Sequence, residues 1–140
     1  MALAKYLRVP HSPIVPSIAL LILRVITGIA FMFHGWGKIQ NPLSWMGPDA
    51  NMPAILQALA ALSEFGGGFL LAIGLFVPVA SFGLLCTMTV AASTHIMRGD
   101  PFVGRGGSYE LASVYFAVSM LFLVGGPGRF SADRVIFGNQ

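Results

Sequence analysis

Residues 17–38 read SIALLILRVITGIAFMFHGWGK, and this stretch decides the fold. It holds about twenty almost uninterrupted apolar residues, the number an α-helix needs to cross a hydrocarbon core of about 30 Å. Three further stretches follow the same rule, giving expected spans at about 17–37, 54–76, 78–97 and 109–125. Before the first lies an N-terminal tail, residues 1–16, broken by Pro10, Pro13 and Pro16. After the last, Gly125-Gly126-Pro127-Gly128 closes the four-span domain of residues 17–128, leaving 129–140 as a C-terminal tail. The expected fold is all-α, an integral membrane four-helix bundle. The first span is read as a retained helix. It is long for a signal peptide, carries Arg24, and ends in His34-Gly35-Trp36-Gly37-Lys38 with no small-x-small cleavage pattern.

Composition agrees. Of the 140 residues 56% are hydrophobic and only 9% charged, and mean hydropathy is +0.79, whereas soluble domains carry roughly 25% charged residues. So few charges leave lipid as the solvent for most of the surface. The net charge of +3 comes from scattered residues without a basic stripe or interleaved aromatics, which argues against nucleic acid. Cys86 is the sole cysteine, so an internal disulfide, a Cys-x-x-Cys pair and a thiolate metal site are all excluded. No metal site is expected. Any oxidoreductase role would need a bound cofactor or a partner.

The short link at Val77-Pro78 makes spans two and three a hairpin, which puts the two longer loops on one side. That side carries Lys38, Arg98 and Arg105; the other carries Lys5, Arg8, Arg129 and Arg134. Four cations against three favours both termini in the cytoplasm of a multi-pass inner-membrane protein.

Ionisable groups within spans cost roughly 2.5–3.5 kcal/mol each on insertion scales, so each asks for a partner. At 100° per residue, Arg24, Gly28, Phe31, His34, Gly35 and Lys38 share one stripe of span one. Ala60, Glu64, Gly68 and Ala72 share a face of span two; Thr87, Ala91 and His95 one of span three; Glu110, Ser113 and Ala117 one of span four. Similar depths for Arg24 and Glu64 predict a structural ion pair between them. His34, Lys38, His95 and Glu110 fall at the outer ends of three spans and are the expected ligand-binding residues of a pocket beneath the two outer loops, rimmed by Arg98, Asp100 and Arg105. Each also has a plainer reading: Lys38 snorkelling to the interface, the histidines as ordinary hydrogen-bonding residues, Glu110 favouring a helix N-terminus. Two histidines at one depth would also suit haem ligation, which nothing else supports.

These residues carry a resemblance. Arg24 with Gly28, Phe33-His34-Gly35, Lys38, Glu64 with Gly67-Gly68, Gly74, His95, Glu110, then Gly126-Pro127-Gly128-Arg129 with Ser131 and Asp133 together resemble the DoxX family of small four-helix bacterial membrane proteins. The likeness covers about Leu20 to Asp133. It implies a bundle in the cytoplasmic membrane and, because the family takes its name from a subunit of a thiosulfate:quinone oxidoreductase, an association with quinones. The leading expectation is a redox-associated subunit or accessory that binds a quinone or similar small amphipathic molecule, with His34, His95 and Lys38 as donors and Phe31, Met32, Phe33 and Trp36 lining the ring's slot. The alternative is a structural or assembly subunit of a larger membrane complex with no chemistry of its own. A membrane or redox protein partner, or a second copy, stays open. A small transporter ranks last, because the inner half offers only Arg24 and Glu64.

Overall fold

The computed structural model describes residues 13–138. Within them the chain forms five helices and no strand: α1 Ile14–Gln40, α2 Ala54–Ile73, α3 Val77–Met97, α4 Glu110–Gly125 and α5 Ala132–Phe137. Of these, α1, α2 and α3 are long and apolar enough to cross a membrane, and α4 is a shorter apolar helix. At 1.5 Å per residue α1 is about 40 Å long and α4 only about 24 Å, so α1 outreaches the hydrocarbon and α4 falls short of it. Consecutive long helices pack on one another, and α4 closes on α1 where Tyr115 meets Phe31 at a ring-centroid distance of 4.7 Å. Lys5, Arg8 and Pro10 of the expected N-terminal tail lie outside the described residues.

The helix starts and stops have local causes. α1 begins three residues earlier than expected, with Pro16 inside its first turn. Proline is tolerated there because the first N–H groups of a helix have no intrahelical acceptor. α2 ends at Ile73 rather than near residue 76, because Gly74 turns left-handed (φ 76°) and its N–H closes on Leu70 and Leu71. Phe76 is also left-handed, at φ 48°, a conformation that costs a bulky residue about 1–3 kcal/mol.

The segment expected as a C-terminal tail from residue 129 is instead partly built into the fold. Ser131 caps α5 by accepting from the Arg134 N–H, and Asp133 is fully buried. Its carboxylate accepts from the N–H groups of Phe76 (2.7 Å) and Val77 (2.9 Å), the first donors of α3, while its own N–H donates to Gly74 O. α5 therefore holds the strained α2–α3 turn in place, with a carboxylate where a helix N-terminus favours one.

Glycine sets how α1 and α2 meet. A Cβ on Gly28 would lie 2.6 Å from Gly68 O, and one on Gly35 2.5 Å from the Phe65 N. Backbones this close gain van der Waals contact where lipid gives helices no hydrophobic reason to associate. The contacts pair residue 28 with 68–72 and residue 35 with 64–65, a register that runs the length of both helices.

The inward faces differ from expectation on two spans. α4 buries Ala112, Ser119 and Phe122 rather than a Glu110–Ser113–Ala117 row, and α3 buries Ser81, Leu84 and Met88, with Thr87 beside them only half-buried. Both helices are apolar all round, so periodicity carries little information about which side turns inward.

Gly28→Leu or Gly68→Val is expected to destabilise the protein by about 1–3 kcal/mol, as overpacking does. Gly37→Ala, with open space at its Cβ, is expected to be neutral. Thermal unfolding of the detergent-solubilised variants distinguishes them; equal melting temperatures would refute the close contact.

Candidate functional site

The register fixed by glycine decides the ion pairs. Arg24 and Glu64 do not pair. Gly35, not Arg24, lies opposite Glu64, and eleven residues of helix separate the two levels, about 16 Å. Similar distances from the span ends do not bring Arg24 and Glu64 together, because the Gly28–Gly68 and Gly35–Phe65 contacts set which residues face each other.

Arg24 instead stands beside Gly74, whose missing side chain makes room for the guanidinium. It is buried at 1% exposure. Its Nη1 donates to Pro127 O (3.3 Å) and its Nη2 to Phe130 O (2.7 Å). Arg24 thus remains structural, but its partners are the carbonyls after α4. Its Nε has no acceptor in the protein.

Glu64, 3% exposed, receives Lys38. The ammonium donates to both carboxylate oxygens at 2.6 Å and sits 4.6 Å from the centre of the Trp45 ring. Trp45 is held by Nε1–H donation to Gln57 O, and the Gln57 side chain bonds Met46 N and Met52 O. Buried Gln57 therefore ties the loop between α1 and α2 down over the pair. Lys38 is three-quarters covered, an intramembrane partner more than a snorkelling residue.

Below this loop lies a cavity of about 210 Å³. α1 contributes Phe31, His34 and Lys38; α2 gives Glu64; α3 gives Met88, Ala91 and His95; α4 gives Leu111, Ala112 and Tyr115. Three of the four expected ligand-binding residues, His34, Lys38 and His95, meet here. Glu110 does not: it is exposed at the start of α4, and its backbone N–H donates to Phe102 O. The half turn that points Ala112 and Tyr115 inward carries Glu110 away from the cavity. Of the expected slot only Phe31 lines this cavity. Met32, Phe33 and Trp36, with Ile29 and Phe65, bound a separate apolar groove of about 340 Å³ on the other side of α1.

Two residues of the cavity were not expected there. Glu64 enters the cavity because its true partner is Lys38. Tyr115 stacks on Phe31 and meets His34 edge-on at 6.0 Å; its signal was its place on the Ala112–Tyr115–Ser119–Phe122 face. Of the expected rim, Asp100 bonds His95, with Oδ2 2.7 Å from Nδ1. Arg98 and Arg105 are exposed and do not line the cavity.

Chemically, the chamber combines an apolar floor with an ion pair, two imidazoles and a phenol. Engineered apolar cavities of about 150 Å³ bind benzene, so a six-membered ring fits the available volume.

The family model described as DoxX matches residues 19–96, more than half of the chain. An uncharacterized protein of Haemophilus influenzae is 29% identical over 121 residues, covering 84% of this chain and 90% of that one. The inner membrane protein YqjF of Escherichia coli is 28% identical over 128 residues, covering 86% and 93%. No solved structure matches.

Lys38→Ala is expected to destabilise the protein by about 3–5 kcal/mol, because it strands a buried carboxylate. Glu64→Gln with Lys38→Met should recover part of that loss. A double-mutant cycle on detergent unfolding checks this, with strong coupling expected for 38–64 and coupling near zero for 24–64.

Proposed function

This chain belongs to the DoxX family, and from that membership we propose a multi-pass inner-membrane protein that binds a small amphipathic ligand, a quinone headgroup by preference, as a redox-associated subunit or accessory. The observation that carries the reading is the convergence of His34, Lys38, His95, Glu64 and Tyr115 from four helices on one ring-sized cavity. A quinone needs polar groups for its two oxygens and an apolar wall for its ring. His34 and the Ser108 and Tyr115 hydroxyls can donate to the oxygens, and His95 lines the same wall; Phe31, Met88 and Leu111 supply the apolar side. If electrons move, they come from a partner protein or a bound cofactor, since the side chains here hold no redox group of their own.

The inner-membrane location follows the YqjF relative, whose name carries it. With this reading go both termini in the cytoplasm, on the charge count of the sequence. The sequence puts Lys5, Arg8, Arg129 and Arg134 at that end against Lys38, Arg98 and Arg105 at the other, an excess of one that favours it.

The second reading, a structural or assembly subunit, draws on a different observation. Arg24, Lys38 and Glu64 all find partners within the chain, as a scaffold requires. Variants separate the two. Protein purified in mild detergent is expected to carry quinone in its organic extract, measured by mass spectrometry. His95→Ala should keep normal abundance and lose at least about tenfold in bound quinone, roughly 1.4 kcal/mol. Collapse of abundance in His34→Ala and His95→Ala, with no quinone in the wild-type extract, would overturn the ligand reading in favour of the scaffold.

A further inference from the structure

We propose that Asp100 is a positioning residue that fixes the tautomer of His95, so that the pocket selects rings bearing a hydroxyl donor over rings bearing only an acceptor oxygen. The inference rests on the pocket reading above and specifies its ligand class.

His95 stands in the last turn of α3 and Asp100 in the loop that follows, with Oδ2 2.7 Å from Nδ1. The loop holds this carboxylate in place at several points. The Asp100 N–H donates to His95 O at 3.1 Å. Gly107 packs so closely on the carboxylate that a Cβ there would lie 2.7 Å from Oδ2. Phe102 stacks on Tyr109 at 5.2 Å, and Phe102 O accepts from the Glu110 N–H, which anchors the loop to the start of α4.

An ionised carboxylate has no proton to give, so the hydrogen of this bond sits on Nδ1. In the neutral imidazole Nε2 then carries a lone pair. His95 lines the cavity and turns Nδ1 to the loop, so Nε2 is the ring nitrogen the cavity offers. Its neighbours reinforce the pattern. Glu64 is an acceptor-only carboxylate, and the Lys38 ammonium is turned onto its two oxygens and over Trp45. At His95 the wall therefore presents a lone pair, whereas the Ser108 and Tyr115 hydroxyls and His34 elsewhere on it can donate or accept. A phenolic O–H satisfies Nε2; an ether or ketone oxygen at the same place faces lone pair against lone pair and leaves a desolvated acceptor. Of a quinone and its quinol, the quinol is the form this wall prefers.

The test uses two probes of one shape, 4-hexylphenol and 4-hexylanisole, titrated at pH 8 into the detergent-purified full chain. The phenol is expected to bind about three- to tenfold more tightly, the worth of one hydrogen bond. In His95→Ala that ratio should fall towards one. Independently, ¹⁵N NMR of the imidazoles should show His95 protonated at Nδ1, with Nε2 shifting on addition of the phenol only. Asp100→Ala should move the proton to a mixture of both nitrogens. Both probes binding with the same ratio in wild type and His95→Ala would overturn the tautomer inference and leave the amphipathic-ligand reading standing. An Nε2–H tautomer in the wild type would overturn it too. Binding of neither probe would remove the inference together with the pocket reading beneath it.

Discussion

Two glycines meeting across a helix pair govern most of what this protein is. Where Gly28 and Gly68 touch, α1 and α2 come to backbone contact, and their antiparallel register is thereby set to within a residue. Everything charged inside the bundle follows from that setting. Glu64 is delivered to the level of Lys38, and Arg24 to the level of Gly74. A shift of one turn, about 5.4 Å, would leave a carboxylate in hydrocarbon without its ammonium. Packing and electrostatics thus agree on one arrangement, which is how a bundle without a hydrophobic driving force between helices obtains a single structure.

The two ends of the bundle are built differently. At the end that carries α5, Asp133, Arg24 and the carbonyls of Pro127 and Phe130 tie α1, the α2–α3 turn and α5 together. The opposite end holds the chamber, under a loop held by Gln57 and Trp45. Phe31, Leu71, Leu84 and Phe122, all fully buried, form the apolar core of the bundle, with Thr27, Ser81 and Ser119 buried among the helices as well.

Much of this was legible in the sequence, for reasons that differ by element. The helices announce themselves by length and hydropathy, and the inward stripe of α1 by the angular clustering of Arg24, Gly28, Phe31, His34, Gly35 and Lys38, of which His34 is left exposed. The gathering of His34, Lys38 and His95 at one end was legible because polar residues near span ends have few places to go but under the loops. The ion pairs were not, since charge partners depend on interhelical register, which depth counting from uncertain span ends cannot give. The faces of α3 and α4 were hidden for another reason: where lipid and protein interior are equally apolar, a span need not be amphipathic to have a preferred side. Asp133 stood among the residues of the family resemblance, but a carboxylate after a Gly-Pro break reads as solvated tail until the turn it caps is seen.

The placement of Arg24's acceptors has a consequence for biogenesis. The guanidinium enters the membrane with the first span, yet Pro127 and Phe130 follow it by 103 and 106 residues. At about 5–20 residues per second, those carbonyls reach the translocon some 5–20 s later. During that interval Arg24 has to be tolerated by water, lipid headgroups or the insertion machinery. A segment made long after the first span is the one that ends this exposure, so a ribosome that stalls before residue 130 leaves behind a nascent protein with an unanswered charge in the membrane.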